Sequence, residues 1–183
     1  MLFGHEPPQL LKQRMLYKGR KFSFEVNRFK LPNGAESDLE CIRHPGGALA
    51  VPISSDGKFV LVRQYRFTAK GRLLEFPAGT VEPNETPAET IQREIEEETG
   101  YRAHQWQPIG SFFVAPGYSD EVLHAFLAQE LELLDIPPEK DVDEDLVTVL
   151  MSADEVEKAI YSGDIVDAKS ISSFFLARPF LSA

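Results

Sequence analysis

The sequence contains very little cysteine and no stretch typical of a secreted protein. Its single cysteine, Cys41, has no second cysteine with which to form an internal disulfide. The first residues, MLFGHEPPQLLKQR, lack the apolar run followed by small residues that marks a secretory signal. These two absences predict a reducing, cytoplasmic setting and argue against a disulfide-stabilised extracellular domain.

Long apolar runs are also missing, and positive charge is scarce. Apolar stretches such as GALAVPI at 47–53 are far shorter than the roughly 20 residues that span a membrane. Lysine and arginine number 19 against 29 aspartates and glutamates, which gives a net charge of −10. Such a charge repels phosphate backbones and anionic lipids unless a basic patch or a bound cation intervenes. We therefore expect neither nucleic acid nor a membrane as the main partner.

The order of the elements predicts one main domain with a small N-terminal addition. In KFSFEVNRF at 21–29 apolar and polar residues alternate, LPNG supplies a turn, and DLECIR resumes the alternation. This pattern predicts an antiparallel β hairpin within residues 1–45. Residues 46–183 contain strands, an inserted helix, further strands and further helices, so we expect a main domain there and an α+β fold class with a mixed β-sheet.

Capping signals predict three helices. Thr86 followed by Pro87 and Glu89 forms a capping box, and Gly100 suits the left-handed position after a helix, so the first helix should run from Pro87 to about Thr99. SADEVEKAIYSG at 152–163 has its own capping box. DAKSISSFFLARP at 167–179 should form a last helix that begins at its aspartate and stops before its proline.

Glutamates are concentrated on the first predicted helix. At 100° per residue, its apolar face is bordered on one side by Glu94, Glu97 and Glu98. Like charges three and four residues apart repel, and a cluster of carboxylates suits Mg²⁺, which commonly also binds substrate phosphates. A solvated acidic face is the alternative, but it would not need to border the apolar stripe or to follow the PAG turn at 77–79. Arg93 could pair with Glu97 and reach back to Glu85.

The spacing of these residues resembles a known motif. Gly79, five residues, Glu85, seven residues and then REIEEETG at 93–100 resemble the Nudix box of the Nudix hydrolases at every fixed position, with Tyr101 where an aliphatic residue is usual. HPGGALAVPI, VRQYR, LEFPAG, PGYSDE and GDIVDAKSIS are similar to the ADP-ribose pyrophosphatase branch. Enzymes acting on GDP-mannose or other nucleoside diphosphate sugars share several of them.

The resemblance implies a fold, a reaction and a metal site. The fold would be an α/β/α sandwich, and the reaction would be hydrolysis of the diphosphate bond of a nucleoside diphosphate sugar, with ADP-ribose giving AMP and ribose 5-phosphate. Arg93 and Glu85 would be an orienting pair, and Glu97 would also count among the catalytic residues. Mg²⁺, or alternatively Mn²⁺, would be held by the backbone carbonyl of Ala78 and by Glu94, Glu97 and Glu98.

The resemblance places the remaining site residues less firmly. Arg66 would contact a substrate phosphate, with Arg63 a weaker candidate. The general base would come from the late loop KDVDEDLV at 140–147, where Glu144 is the first choice, Asp145 the rival and Asp143 third. A solvated acidic loop is the alternative reading there. In PGYSDE at 116–121, Asp120 or Glu121 could help to bind metal or water, or could cap the turn.

The resemblance also implies a partner. In this branch an N-terminal segment such as 1–45 pairs with a second subunit, so we expect a homodimer in which Arg66 can serve the partner's site.

A non-catalytic module that binds a nucleotide sugar and regulates another protein is the competing class of function, although every metal-binding glutamate of the motif is present.

Overall fold

The computed structural model describes residues 6–136, 138 and 145–181, and the chain falls into two compact units. The first unit comprises Met1–Gly46 and Ala115–Glu121, and the second comprises Gly47–Val114 and Val122–Ala183. The assignment of residues 1–45 to dimerisation and of 46–183 to hydrolysis stays a prediction.

The first unit is built on an antiparallel sheet in which the central strand pairs with both neighbours. Its described strands are β1 (Gln9–Lys18), β2 (Ser23–Lys30) and β3 (Glu36–Arg43). The predicted hairpin is β2 with β3 and is confirmed. All residues of β1 are exposed, and its pairing with β2 contains two register shifts. Segment 115–121 joins this sheet where Ile42 N–H donates to the Tyr118 carbonyl at 2.7 Å.

The second unit contains two sheets. Its described strands are β4 (Gly47–Pro52), β5 (Phe59–Arg66), β6 (Gly71–Glu75), β7 (Ala78–Thr80), β8 (Tyr101–Phe113), β9 (Val122–Leu133) and β10 (Leu146–Met151). One sheet has the order β7-β4-β9-β8 and is mixed, because β4 and β9 run parallel. The other has the order β10-β5-β6 and is antiparallel.

The described helices begin where the capping signals predict. They are α1 (Pro87–Thr99), α2 (Ala153–Ser162) and α3 (Ala168–Ala177), the last followed by a 3₁₀ turn. Their N-cap residues, Thr86, Ser152 and Asp167, each accept a hydrogen bond from a backbone N–H of the first turn. Gly100 ends α1 in the left-handed region with φ 76°, where glycine avoids the steric cost of a side chain.

Strand β4 is the centre of the second unit. Its side chains alternate between two buried clusters, as successive residues of a strand must. Ala48 and Ala50 pack in the cluster that contains the apolar residues of α1, whereas Leu49 and Val51 pack in the larger cluster with α2 and α3. The mixed sheet therefore has helices on both faces, which confirms the predicted α+β fold. No helix in the described part of the chain is long and apolar enough to cross a membrane.

Candidate active site

Three glutamates of α1 lie beside its buried face, as predicted. Glu98 is 2% exposed and Glu94 9% exposed, although both are carboxylates, and Glu97 is half-buried. Burying a charged group is costly unless it is paired and hydrogen-bonded. The groups that pair with these carboxylates therefore belong to the site.

The short strand β7 meets two of these carboxylates. Ala78 N–H donates to Glu98 Oε2 at 3.1 Å. A Cβ atom added to Gly79 would lie 2.0 Å from Glu94 Oε1, so the Glu94 side chain lies in its present position against β7 only because residue 79 has no Cβ. The PAG turn thus places residue 78, the predicted backbone ligand, directly beside the Glu98 carboxylate.

Arg93 joins the remaining acidic residues. Its Nη1 donates to both Glu94 Oε1 and Glu97 Oε2, each at 2.9 Å. Its Nε and Nη2 donate to the two carboxylate oxygens of Glu85 at 3.1 and 3.2 Å. The hydrogen bonds from Arg93 lower the pKa of Glu85, and the same bonds raise the pKa of Arg93. The predicted contacts of Arg93 with Glu85 and Glu97 are confirmed.

The carboxylates of Glu94 and Glu97 can bind a divalent cation once Arg93 no longer donates hydrogen bonds to them. Within the described ranges, no group of three or more acidic, histidine or cysteine side chains is already arranged around a metal position. Nη1 of Arg93 instead supplies a positive charge between Glu94 and Glu97. Both carboxylates thus face the position of Nη1, and they would have to move closer to bind one cation there at about 2.1 Å. Anionic oxygen donors of this kind suit Mg²⁺ or Mn²⁺.

A second charged cluster surrounds Arg66 at the end of β5. Arg66 Nε and Nη2 donate to the two oxygens of Glu75 on β6 at 2.9 and 2.7 Å. Lys169 Nζ also donates to Glu75 Oε2, and to Asp167 Oδ2 at 2.8 Å. The Glu75 hydrogen bonds, and more weakly the charge of Glu98, raise the pKa of Arg66. Arg66 therefore pairs with Glu75 and lies close enough to Glu98 to be affected by its charge.

The buried member of this cluster is Glu75, whose side chain is 2% exposed. Burial by itself would raise the pKa of Glu75, but the hydrogen bonds and charges of Arg66 and Lys169 lower it to about 2. Neither Glu75 nor Lys169 was among the predicted site residues. A single acid inside the apolar run LLEFPAG is the signal that could have indicated a buried, paired charge.

The weaker arginine candidate is not part of this cluster. Arg63 is exposed and stands three positions before Arg66 on β5. Side chains of a strand alternate between its two faces, so Arg63 and Arg66 lie on opposite faces. The structure consequently does not bring Arg63 to the glutamate site.

Of the predicted general bases, only Asp145 is described. Glu144 and Asp143 lie outside the described residues. The Asp145 carboxylate accepts a hydrogen bond from Arg72 Nη2 on β6, and its backbone carbonyl accepts from Tyr65 N–H at 3.0 Å. Asp145 would have to leave Arg72 before it could take a proton from water with that oxygen.

The acidic residues of PGYSDE belong to the first unit. Asp120 Oδ1 accepts from His44 N–H at 2.9 Å, and its Oδ2 accepts from Arg43 Nη1 at 3.0 Å. The Glu121 carboxylate lies 3.6 Å from His44 Nδ1. Of the alternatives left open for Asp120, these contacts favour fixing the local turn.

The glutamate helix, the PAG turn and Arg93 form the arrangement that the Nudix resemblance implies, and residues 43–174 match the NUDIX domain family. The chain belongs to the Nudix family. This Nudix hydrolase is 34% identical over 160 residues to an ADP-ribose pyrophosphatase of Bacillus subtilis, which is 87% of this chain and 86% of that protein.

Two further proteins are similar over most of the Nudix chain. A methanol dehydrogenase activator of Bacillus methanolicus is 35% identical over 161 residues, covering 88% of this chain and 87% of that protein. The crystal structure of an ADP compounds hydrolase superposes with a TM-score of 0.83, at 24% identity, over 98% of this chain and 96% of the other. This structural likeness supports the fold.

Proposed function

We propose that the protein hydrolyses the diphosphate bond of a nucleoside diphosphate sugar with the help of Mg²⁺, and that its substrate is ADP-ribose, which yields AMP and ribose 5-phosphate. The observation that carries the proposal is the position of Glu94 and Glu98 against the PAG turn, with Glu97 joined to Glu94 through Arg93. The likeness to the Bacillus subtilis ADP-ribose pyrophosphatase over most of both chains supports the choice of substrate.

The residues have distinct roles in this proposal. The three carboxylates and the Ala78 carbonyl would hold the cation, with Mn²⁺ as the alternative to Mg²⁺. The bound ion would neutralise the diphosphate and lower the pKa of a nearby water. Arg93 keeps Glu85 in place and, once released by Glu94 and Glu97, leaves their oxygens free to bind the cation.

The bond changes follow from one attacking water. Its oxygen bonds to one phosphorus, the bond from that phosphorus to the bridging oxygen breaks, and the bridging oxygen leaves with the other phosphate. A carboxylate of the 140–147 loop accepts the proton of the water, with Glu144 as the first candidate and Asp145 as the rival. Arg66 donates hydrogen bonds to a phosphate oxygen, for which a guanidinium is well suited.

We also propose that the protein works as a homodimer through its first unit. Strand β1 carries several large apolar side chains that are exposed in the single chain, among them Leu10, Met15, Leu16 and Tyr17. Several large apolar side chains exposed on one strand favour a protein–protein contact. A second copy of this chain is the occupant that the resemblance implies.

The direct test is release of AMP from ADP-ribose in Mg²⁺, measured beside GDP-mannose, NADH and a nucleoside triphosphate, each with and without EDTA. We expect AMP release that favours ADP-ribose and stops in EDTA. Preference for GDP-mannose would keep the reaction and change the substrate. Binding of ADP-ribose without cleavage of any of the four would support a regulatory role, such as the name of the Bacillus methanolicus relative suggests.

A further inference from the structure

The start of α3 is joined to the strand end that leads into the PAG turn. Ser170 Oγ accepts a hydrogen bond from Phe76 N–H at 2.8 Å, in a position that is 1% exposed. The neighbouring Lys169 donates to the carboxylate of Glu75. Two consecutive residues of α3 thus hold Glu75, the last residue of β6, and Phe76, which follows it, although GDIVDAKSIS has no role in the reaction described above.

The lysine is itself held in place. Lys169 Nζ donates to Asp167 Oδ2 at 2.8 Å, and the same oxygen accepts from Ser170 N–H at 3.0 Å as the N-cap of α3. The Lys169 side chain is 14% exposed. Its ammonium group is thus fixed relative to the first turn of α3 and directed at Glu75.

Glu75 in turn restricts Arg66. The two hydrogen bonds from Nε and Nη2 engage both oxygens of the carboxylate, which fixes the plane of the guanidinium. Oxygen Oε2 accepts from both Arg66 and Lys169, so the carboxylate cannot rotate without breaking one of these contacts. Glu75 engages Nε and Nη2, and within the described ranges no hydrogen bond involves Nη1 of Arg66.

Arg66 is the most exposed member of this chain of contacts, and Glu75 at its centre is the least exposed. The Glu75 side chain is 2% exposed, that of Lys169 is 14% and that of Arg66 is 38%. A ligand that approaches from solvent therefore meets the arginine, while the lysine behind it already has two carboxylate partners. This order favours Lys169 as a support for Arg66 over Lys169 as a phosphate ligand.

We infer that Lys169 is a positioning residue: by anchoring Glu75, it orients the guanidinium of Arg66 toward a phosphate group of the diphosphate substrate. The inference rests on the proposed function and deepens it, because it assigns the DAKS segment to the same site. It predicts that, once Arg66 has been removed, replacing Lys169 has no further effect on substrate binding or turnover.

A double-mutant cycle tests this coupling. The variants are R66A, K169M and R66A/K169M, with K158M as a control that removes an exposed lysine from α2. The readouts are kcat/KM for ADP-ribose with saturating Mg²⁺, the Kd of α,β-methylene-ADP-ribose with Mg²⁺ by calorimetry, and the melting temperature. If K169M does not fold, K169Q takes its place, because it keeps a polar donor while removing the charge.

We expect K169M to lower kcat/KM and to weaken binding of the methylene analogue, each by about tenfold, because mutually dependent residues show coupling of this order. Adding K169M to R66A should cause less than about a twofold further loss, as expected when one residue acts through the other. K158M should match the wild type. Equal losses from K169M with and without Arg66, or no loss at all, would overturn the inference.

Turnover of ADP-ribose and binding of the methylene analogue together separate this inference from the proposed function. Cleavage of ADP-ribose with additive losses would preserve the function and overturn the role of Lys169. Absence of cleavage, with analogue binding that shows the non-additive pattern, would overturn the function and support the positioning role. A wild-type protein that neither cleaves ADP-ribose nor binds the analogue would overturn both.

Discussion

The present position of the Glu94 side chain depends on the absence of a Cβ atom at residue 79. A Cβ there would lie 2.0 Å from Glu94 Oε1 and 2.1 Å from its Cδ. We expect G79A to fold, because the Glu94 side chain can turn aside, and to bind Mg²⁺ at least about tenfold more weakly, as happens when the support of a metal ligand is disturbed. Calorimetric titration with Mg²⁺ measures this.

The matched control is G117A, because nothing lies within 4 Å of a Cβ added at Gly117. Its Mg²⁺ affinity should equal that of the wild type. An unchanged affinity in G79A would show that Glu94 does not bind the metal from its present position.

Residues of the site differ in how far they can be predicted from the sequence. Glu94, Glu97 and Arg93 lie within two turns of one helix, so helical geometry alone places them together. Glu75 and Lys169 are 94 positions apart, and only the tertiary fold brings the start of α3 to the end of β6. No local spacing encodes such a pair.

At the scale of elements, the start of α1 depends on its capping box. The Thr86 side chain accepts from Glu89 N–H at 3.3 Å, and Thr86 N–H donates to the Glu89 carboxylate at 2.8 Å. We expect T86A to lower the free energy of unfolding by about 1 kcal/mol, as measured by urea denaturation. T86S keeps the hydroxyl and should lose much less, and equal losses in the two variants would contradict the capping role.

The contact of β5, β6 and α3 through Glu75 predicts a dependence on pH. The pKa of Glu75 is about 2 in the folded chain, against 4.5 for an ordinary glutamate. As pH falls through this interval, the unfolded chain binds the proton first, so the stabilisation from Glu75 is complete above about pH 4.5 and is lost toward pH 2.

The variant E75Q isolates this contribution, because other titrating groups occur in both proteins. The free energy of unfolding of the wild type should exceed that of E75Q at neutral pH, and the difference should decrease by about 3 kcal/mol between pH 5 and pH 2. Denaturation curves at several pH values measure it. A difference that does not change with pH would contradict an ionised, buried Glu75.

Elements also differ in how far the sequence specifies them. Helix starts are encoded within four residues, and the three predicted starts are confirmed. Strands β1, β6 and β7 are not predictable in this way. QLLKQRMLYK lacks a regular alternation, β6 is a short strand that depends on pairing with β5, and β7 has only three residues and pairs with β4, which is distant in sequence.

For the whole molecule, the exposed β1 predicts a dimer. Light scattering at working concentration should give twice the 20.6 kDa mass of the chain. L16E places a charge on the apolar surface of β1 and should shift the protein toward the monomer, because burying that charge is costly. Q13E, on the same strand, replaces a side chain that is already polar and should shift it less. A wild-type monomer would contradict the dimer proposal.

The central claim is that the glutamates of α1 hold the metal that drives diphosphate hydrolysis, and turnover of ADP-ribose by E98Q tests it most directly. The amide oxygen introduced by E98Q can still accept the hydrogen bond from Ala78 N–H, so the fold should persist without the carboxylate charge. E96Q is the matched control, because Glu96 lies on the same helix but pairs with Arg102. We predict that E98Q loses at least about a hundredfold in kcat while E96Q retains its activity; equal activity in the two variants would contradict the account.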